Sequence, residues 1–379
     1  MHRPGFLVLT GNGLSIAHNP DLQLSKLTEQ FLSLHREEAG LKSLMREMGI
    51  EPEKASHDFE IVIGAIEAAE GVIEALMELA AESPLQVLHD AADVLRKNDV
   101  PLVLRHLYYS YCAQVLAAIG ELSRSAISKP VLGFGEWVKQ MHKAHFVTSV
   151  FTLNYDVLVE RMFVADDLLG LKGVLTDCFS GIADRRREIE LVPGTGKVAC
   201  GLFFPYDAPN RSIYLHHLHG CLTHFEDRQT GEVLKVDSAD VRKSGVFEFL
   251  AKQPGRFVPA IILGSRKVEK STRKPFEFAF ESLREALRSA NVICIAGYSF
   301  RDIAVNELLK AAAEARSDRR WIVIDKRSGD ADEFRAKVEE VLPITSIEWY
   351  LNGFEEPLPT VNVVKAAFPG KGSSEFRKA

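Results

Sequence analysis

Three side chains in this sequence, Asn154, Asp156 and His219, are spaced to act on a polar substrate. Asn154 and Asp156 stand two residues apart in Thr152-Leu153-Asn154-Tyr155-Asp156, directly after the β-branched and aromatic run His145–Phe151. His217 and His219 alternate in Ile213-Tyr214-Leu215-His216-His217-Leu218-His219-Gly220. A carboxamide and a carboxylate at the end of a strand can orient a sugar hydroxyl or a water and stabilise developing positive charge. A histidine beside a glycine, where substrate can approach, suits general-base work. The plainer role for Asp156 is to cap the helix that begins at Val157. In a strand His217 and His219 point to one face. That arrangement is open to a metal, but this reading finds no further ligand beside them, and no metal is expected.

These groups need strands that end together. Phe6-Leu7-Val8-Leu9-Thr10 reads as a buried strand and runs into Gly11-Asn12-Gly13-Leu14-Ser15, a tight turn and a helix start. Such a turn aims N–H groups and the positive end of a helix dipole at a phosphate, and its glycines let the backbone approach. The same order recurs at Asn291–Ala296 followed by Gly297-Tyr298-Ser299-Phe300-Arg301-Asp302, and Trp321–Ile324 ends in Asp325. A carboxylate at such an end can accept ribose hydroxyls or cap a turn. Five apolar strands with polar ends imply one extended ligand along the sheet edge, and a dinucleotide has that extent.

Composition narrows the class. The chain has 379 residues, 46% hydrophobic and 26% charged, as in ordinary globular domains. A net charge of −6 makes direct nucleic-acid binding unlikely as a main role, and Arg185-Arg186-Arg187 reads as a solvated loop. Cys112, Cys178, Cys200, Cys221 and Cys294 are scattered with no Cys-x-x-Cys pair, which argues against a thiolate zinc site and a secreted disulfide framework. The first strand begins within a few residues of Met1, and no apolar run approaches ~20 residues, so no signal peptide, no membrane span and a cytoplasmic location are expected.

Along the chain, helical spacing dominates residues 23–125, punctuated by Pro52, Pro84 and Pro101 into four or five helices. Asp58 or Ser56 caps one of them. Alternation resumes at Gly133, weakens between Phe163 and Ser212, and returns through a hairpin and helix over Leu222–Val258 to a strand at Pro259–Ser265. The fold class expected is α/β: a Rossmann-like parallel sheet with helices on both faces and a large all-helical insertion after the first strand. The divisions expected are 1–22 with 130–350 as the nucleotide-binding domain, 23–129 as a helical insertion, and 351–379 as a loosely held tail.

Gly11-x-Gly13-x-Ser15 with Asn19-x-Asp21, then Thr152-x-Asn154-x-Asp156, then Leu218-His219-Gly220, resemble in order and spacing the nucleotide-binding and catalytic motifs of the sirtuin family. Gly297-Tyr298-Ser299-Phe300-x-Asp302 is similar to the later motif of its bacterial sirtuin-like branch. The four zinc cysteines of the protein deacylases are missing, and Pro20-Asp21 continues into Leu22-Gln23 rather than the family's Phe-Arg. That pattern resembles the anti-phage effectors that hydrolyse NAD to nicotinamide and ADP-ribose, which work as oligomers, often beside a HerA-type ATPase or a phage-derived trigger. The resemblance implies NAD as substrate, no metal, and Asn154, Asp156 and His219 as catalytic residues. It implies Gly11, Asn12, Gly13, Ser15, Asp21, Thr152, Gly297, Ser299, Asp302 and Asp325 as NAD-binding residues. The alternatives are a sensor that binds NAD or ADP-ribose without turnover, an NAD-dependent deacylase, and a purely structural module.

Overall fold

The structure is a computed structural model that describes residues 4–34, 38–47, 49–51, 58–144, 146–165, 168–169, 175–179, 186–204, 213–264, 267–327, 329–344 and 346–366. Its strands, in chain order, are β1 (Gly5–Thr10), β2 (Val147–Thr152), β3 (Leu175–Thr176), β4 (Arg186–Ile189), β5 (Val198–Leu202), β6 (Ile213–His217), β7 (His224–Asp227), β8 (Val233–Val236), β9 (Phe257–Pro259), β10 (Ala290–Ala296), β11 (Arg320–Ile324) and β12 (Ile347–Tyr350).

Seven of them form a parallel sheet in the order β12-β11-β10-β1-β2-β6-β3. β1 lies at its centre because both of its faces are apolar. Phe6 and Val8 face one core with Phe134, Trp137 and Met141 from the helix Lys129–Lys143. Leu7 and Leu9 face the other, with Phe280, Leu283 and Leu287 from the helix Phe276–Ser289. This is the alternation of a strand buried on both sides, and the expected Rossmann-like class is what the chain adopts.

Between β1 and β2 the described chain is helical. After the short helix Asn12–His18 come five helices, Leu24–Ser33, Glu38–Glu47, Phe59–Glu82, Gln86–Lys97 and Val100–Leu122, then Lys129–Lys143. Asp58 is the N-cap of Phe59–Glu82, its carboxylate accepting from the Glu60 N–H at 2.9 Å. Val62, Ile63 and Ile66 of that helix pack with Tyr111, Cys112 and Val115 of Val100–Leu122. Among the described residues no helix is long and apolar enough to cross a membrane.

A second sheet, not expected from the sequence, lies beside the parallel one. β4-β5-β8-β7-β9 form a five-stranded antiparallel sheet whose apolar side joins the helical core through Phe225, Leu234 and Val258. Its strands are short, so their alternation is too brief to stand out from loop. Arg186 and Arg187 belong to β4 rather than to a solvated loop, with Arg187 paired to Glu232 at 3.0 Å. The strand expected at Pro259–Ser265 stops at Pro259 and pairs in this small sheet. Beyond it the N–H groups of Ala260 and Ile262 are drawn to the carbonyls of His224 and His219, at 2.9 and 2.8 Å.

The tail is also better held than expected as far as Ala366. Phe354 packs edge-on against Phe134, the Trp137 indole donates to the Pro359 carbonyl at 2.9 Å, and Val364 is fully buried. Aromatic anchors outweigh the proline content there. Residues 367–379 of that expected tail lie outside the described residues.

Candidate functional site

Five strand ends lie side by side along the C-terminal edge of the parallel sheet, in the order β11, β10, β1, β2, β6. Above them is a cavity of about 390 Å³. Gly11, Asn12, Asn154, Asp156, His219, Ser299 and Asp302 line it, together with Tyr155 and Tyr298. The helical region supplies the facing wall with Leu24, Leu27, Asp58, Phe59, Glu60 and Ile119. Ligands of open α/β sheets bind at this edge, where the connections diverge to either side.

The glycine turns of β1 and β10 serve first to let the two strand ends touch. The Gly13 N–H donates to the Gly297 carbonyl at 2.8 Å, and the Gly11 N–H to Ala296 at 3.0 Å. Gly297 has φ +66, and a Cβ there would lie 2.6 Å from the Leu14 nitrogen. The N–H groups of Gly11 and Gly13 are therefore paired within the protein, between the two turns. Gly13 and Gly297 are absent from the cavity lining, whereas Gly11, Asn12 and Ser299 are on it.

Ser15 is likewise spent inside. It is buried, donates to Asp156 Oδ2, and accepts from the Asn154 amide at 2.9 Å. Asp156 Oδ1 accepts the Leu158 N–H at 2.9 Å where the short helix Leu158–Glu160 begins, while Oδ2 anchors Ser15. Burial raises the Asp156 pKa above the usual carboxylate range. Thr152 supports the same residue from below, its hydroxyl accepting the Asn154 N–H at 3.1 Å. Thr152, Ser15 and Asp156 thus fix one rotamer of Asn154.

His219 projects into the cavity with its Nε2 3.0 Å from Asp302 Oδ2. Asp302 also caps the helix Ile303–Ala315 through the Val305 N–H at 3.0 Å. Burial pushes the Asp302 carboxyl up, but the groups around it, the hydrogen bond from His219 first, outweigh it and hold it down at about 2. A carboxylate that receives Nε2–H leaves Nδ1 as the basic nitrogen. The Tyr155 ring stacks near the imidazole at 6.4 Å, and its hydroxyl sits 2.7 Å from Glu60 Oε1 and 2.9 Å from the Ile262 carbonyl. Gly220, at φ +74, follows because a Cβ there would lie 2.2 Å from the Ala260 carbonyl oxygen.

Sequence reasoning missed Glu60, Tyr155 and Lys267. Lys267 Nζ lies 2.5 Å from Glu60 Oε2, and Arg301 lies 3.6 Å from Asp58. Burial raises the Glu60 carboxyl, yet Lys267 outweighs it and leaves the pKa lowered. Asp58 is raised, by burial and then by the charge of Glu60. The acidic pair Asp58 and Glu60 was visible at a helix start, but nothing in one-dimensional spacing carries it across to His219. The cavity therefore holds Asp58, Glu60, Asp156 and Asp302 against Lys267 and Arg301.

Two of the expected NAD-binding residues, Asp21 and Asp325, lie well away from the cavity, and His217 is turned from it. Asp21 is at the surface, paired with Lys26 at 2.7 Å. Asp325 ends β11, but its carboxylate is taken by Arg327 at 2.8 Å and the Lys326 N–H at 2.7 Å, outside the cavity lining. His217 does not share a face with His219: β6 ends at His217, whose Nε2 turns to Glu160 at 2.8 Å. The strand alternation fails because residues 218 and 219 already form a turn.

A family model described as SIR2-like domain matches residues 148–347, more than half of the chain. No curated protein matches it. Solved structures similar in outline include one described as the structural basis for the mechanism and regulation of Sir2 enzymes (13% identity, 96% of this chain and 93% of that chain, TM-score 0.40). Others are a Sir2 mutant with a p53 peptide and NAD (12%, 97% and 92%, TM-score 0.38) and Sir2Tm bound to a propionylated peptide (13%, 96% and 92%, TM-score 0.38). The matched residues contain β2 with Asn154 and Asp156, the His219 turn, and the β10 turn with Asp302, and the chain belongs to the SIR2-like domain family.

Proposed function

We propose that the cavity binds NAD and cleaves its nicotinamide–ribose bond with water, giving nicotinamide and ADP-ribose. The observation that carries this reading is the convergence of a locked carboxamide, Asn154, with an imidazole oriented by a carboxylate, His219 with Asp302, at one sheet edge. Breaking the glycosidic bond sends its electron pair to the nicotinamide nitrogen and leaves an oxocarbenium-like ribose. Such a step needs orientation and charge stabilisation more than a strong nucleophile. Asn154 holds the ribose or the incoming water. His219 Nδ1 takes the proton as the water oxygen bonds to the anomeric carbon. The excess of carboxylates facing the cavity favours the positive ribose, and Asp156 acts from behind by fixing Ser15 and Asn154. The backbone turns after β1 and β10, with Asn12 and Ser299 on the cavity wall, take the diphosphate in this reading.

The biological setting we propose is depletion of NAD as an antiviral response, carried out by an oligomer and released by a partner such as a HerA-type ATPase or a phage-derived trigger. Exposed apolar side chains of the helical region favour assembly with a second copy of the chain. Leu79, Leu85, Val87, Val94, Leu102 and Val103 stay exposed on or beside three helices of the helical region.

The test is incubation of the purified protein with NAD, with and without an acetyl-lysine peptide, following nicotinamide, ADP-ribose and deacylated peptide by chromatography. ADP-ribose release that is independent of peptide supports the hydrolase. Release seen only with peptide, accompanied by deacylation, replaces it with the deacylase reading.

A further inference from the structure

Behind the catalytic turn, on the side of the small sheet, lies a second cluster. Glu160 follows β2, His217 ends β6, Cys221 comes two residues after His219, and His224 opens β7. One ligand atom each from Glu160, His217 and Cys221 lie within 4.8 Å of one another. The His217 and His224 rings stand edge to face at 5.5 Å. Cys221 and His224 also stand within a few residues of the two histidines in sequence.

Two features show that this cluster is not satisfied by the protein alone. Both ring nitrogens of His224, a residue 4% exposed, are buried with no oxygen or nitrogen partner, and the imidazole lies within reach of the Cys221 thiol. Glu160 Oε2 is also buried without a hydrogen-bond partner, although Oε1 meets His217 at 2.8 Å and Lys235 at 3.1 Å. Buried polar atoms without partners cost roughly 1–3 kcal/mol each, so such atoms call for a bound water, an ion or a ligand.

We propose that Glu160, His217, Cys221 and His224 form a tetrahedral divalent-metal site, with zinc as the ion it favours. Mixed sulfur, nitrogen and oxygen donors suit zinc, whose ligand atoms stand roughly 3.3–3.6 Å apart given its usual bond lengths. A cavity of about 410 Å³ lined by Glu160, Asp177, Thr223 and Lys235 borders the cluster and provides a route for the ion. Its place is structural: His217 Nδ1 lies 3.3 Å from the Asn154 carbonyl, so the ion ties the Asn154 loop, the His219 turn and the small sheet together.

The full-length protein, purified without chelator, is analysed for metal, then stripped and titrated with Zn²⁺ or Co²⁺ alone. The expected result is one equivalent of zinc per chain, and a cobalt spectrum with a thiolate charge-transfer band and tetrahedral d–d bands. X-ray absorption at the zinc edge of the wild type, which needs no variant, should show one sulfur among the nearest atoms. Cys221→Ser should lose the charge-transfer band, and His224→Gln should weaken cobalt binding at least tenfold, while Cys178→Ser keeps both. Absence of bound zinc or cobalt, a sulfur-free coordination shell, or a band that follows Cys178 instead of Cys221 overturns the proposal. None of these readouts depends on NAD turnover.

Discussion

Replacing Ser15 with alanine separates two accounts of the opening motif. As a phosphate ligand, Ser15 would act on binding; in the structure it is 1% exposed and joins Asp156 to Asn154. Ser15→Ala removes the donor to Asp156 Oδ2, leaving a buried carboxylate oxygen short of a partner, and removes the acceptor of the Asn154 amide. The first loss costs about 1–3 kcal/mol and the second about 1 kcal/mol. Together they predict destabilisation of about 2–4 kcal/mol in urea denaturation, with part recovered when Asp156→Asn is added, because an amide suffers less from the lost donor. Once Asn154 loosens, nicotinamide release should fall at least tenfold, while ADP-ribose affinity measured by calorimetry should change less than threefold. Unchanged stability combined with a tenfold or larger loss of ADP-ribose affinity would refute the internal role and restore Ser15 as a ligand contact.

Other expectations follow from the same packing. Gly297→Ala places a methyl against the Gly13 and Leu14 backbone at a positive φ, so a loss of about 2–5 kcal/mol is expected from strain and overpacking; a stability within 1 kcal/mol of wild type would show that the turns can separate. Asp302 has a folded pKa of about 2 against an ordinary 3.8, so its stabilising share is present above about pH 4 and lost as pH falls toward 2. The stability gap between wild type and Asp302→Asn should therefore be flat from pH 7 to 5, up to about 2 kcal/mol, and should narrow below pH 4; a gap that widens on acidification contradicts the depressed carboxylate. Leu85→Ser with Val87→Ser and Val94→Ser should shift the chain to a smaller species in sedimentation, with its helical content kept, whereas an unaltered distribution would remove this face from assembly.

Much of the framework was legible because it rests on long apolar runs with polar ends. β1, β2, β6, β10 and β11 each show that signature, and the helices Phe59–Glu82 and Val100–Leu122 show helical spacing over many turns. Pairings decided by distant contacts were not legible. The small sheet is built from strands of three to five residues. Glu60 reaches Tyr155 and Lys267 across 95 and 207 residues of sequence. At the site, residue types pointed to the right turns, yet which groups face the cavity depended on partners that spacing does not encode. Ser15 is turned inward by Asp156, Asp325 is taken by Arg327, and His217 is drawn away from His219 by Glu160.

The central claim is that His219 and Asn154 serve NAD cleavage in one cavity. The most direct test is nicotinamide release from NAD by wild type, His219→Ala and Asn154→Ala, each confirmed as folded by circular dichroism and assayed alone and with candidate activating partners. The account predicts release by the wild type and loss of at least a hundredfold in both variants. Equal release by either folded variant, or none by the wild type under any condition while NAD still binds, would contradict it.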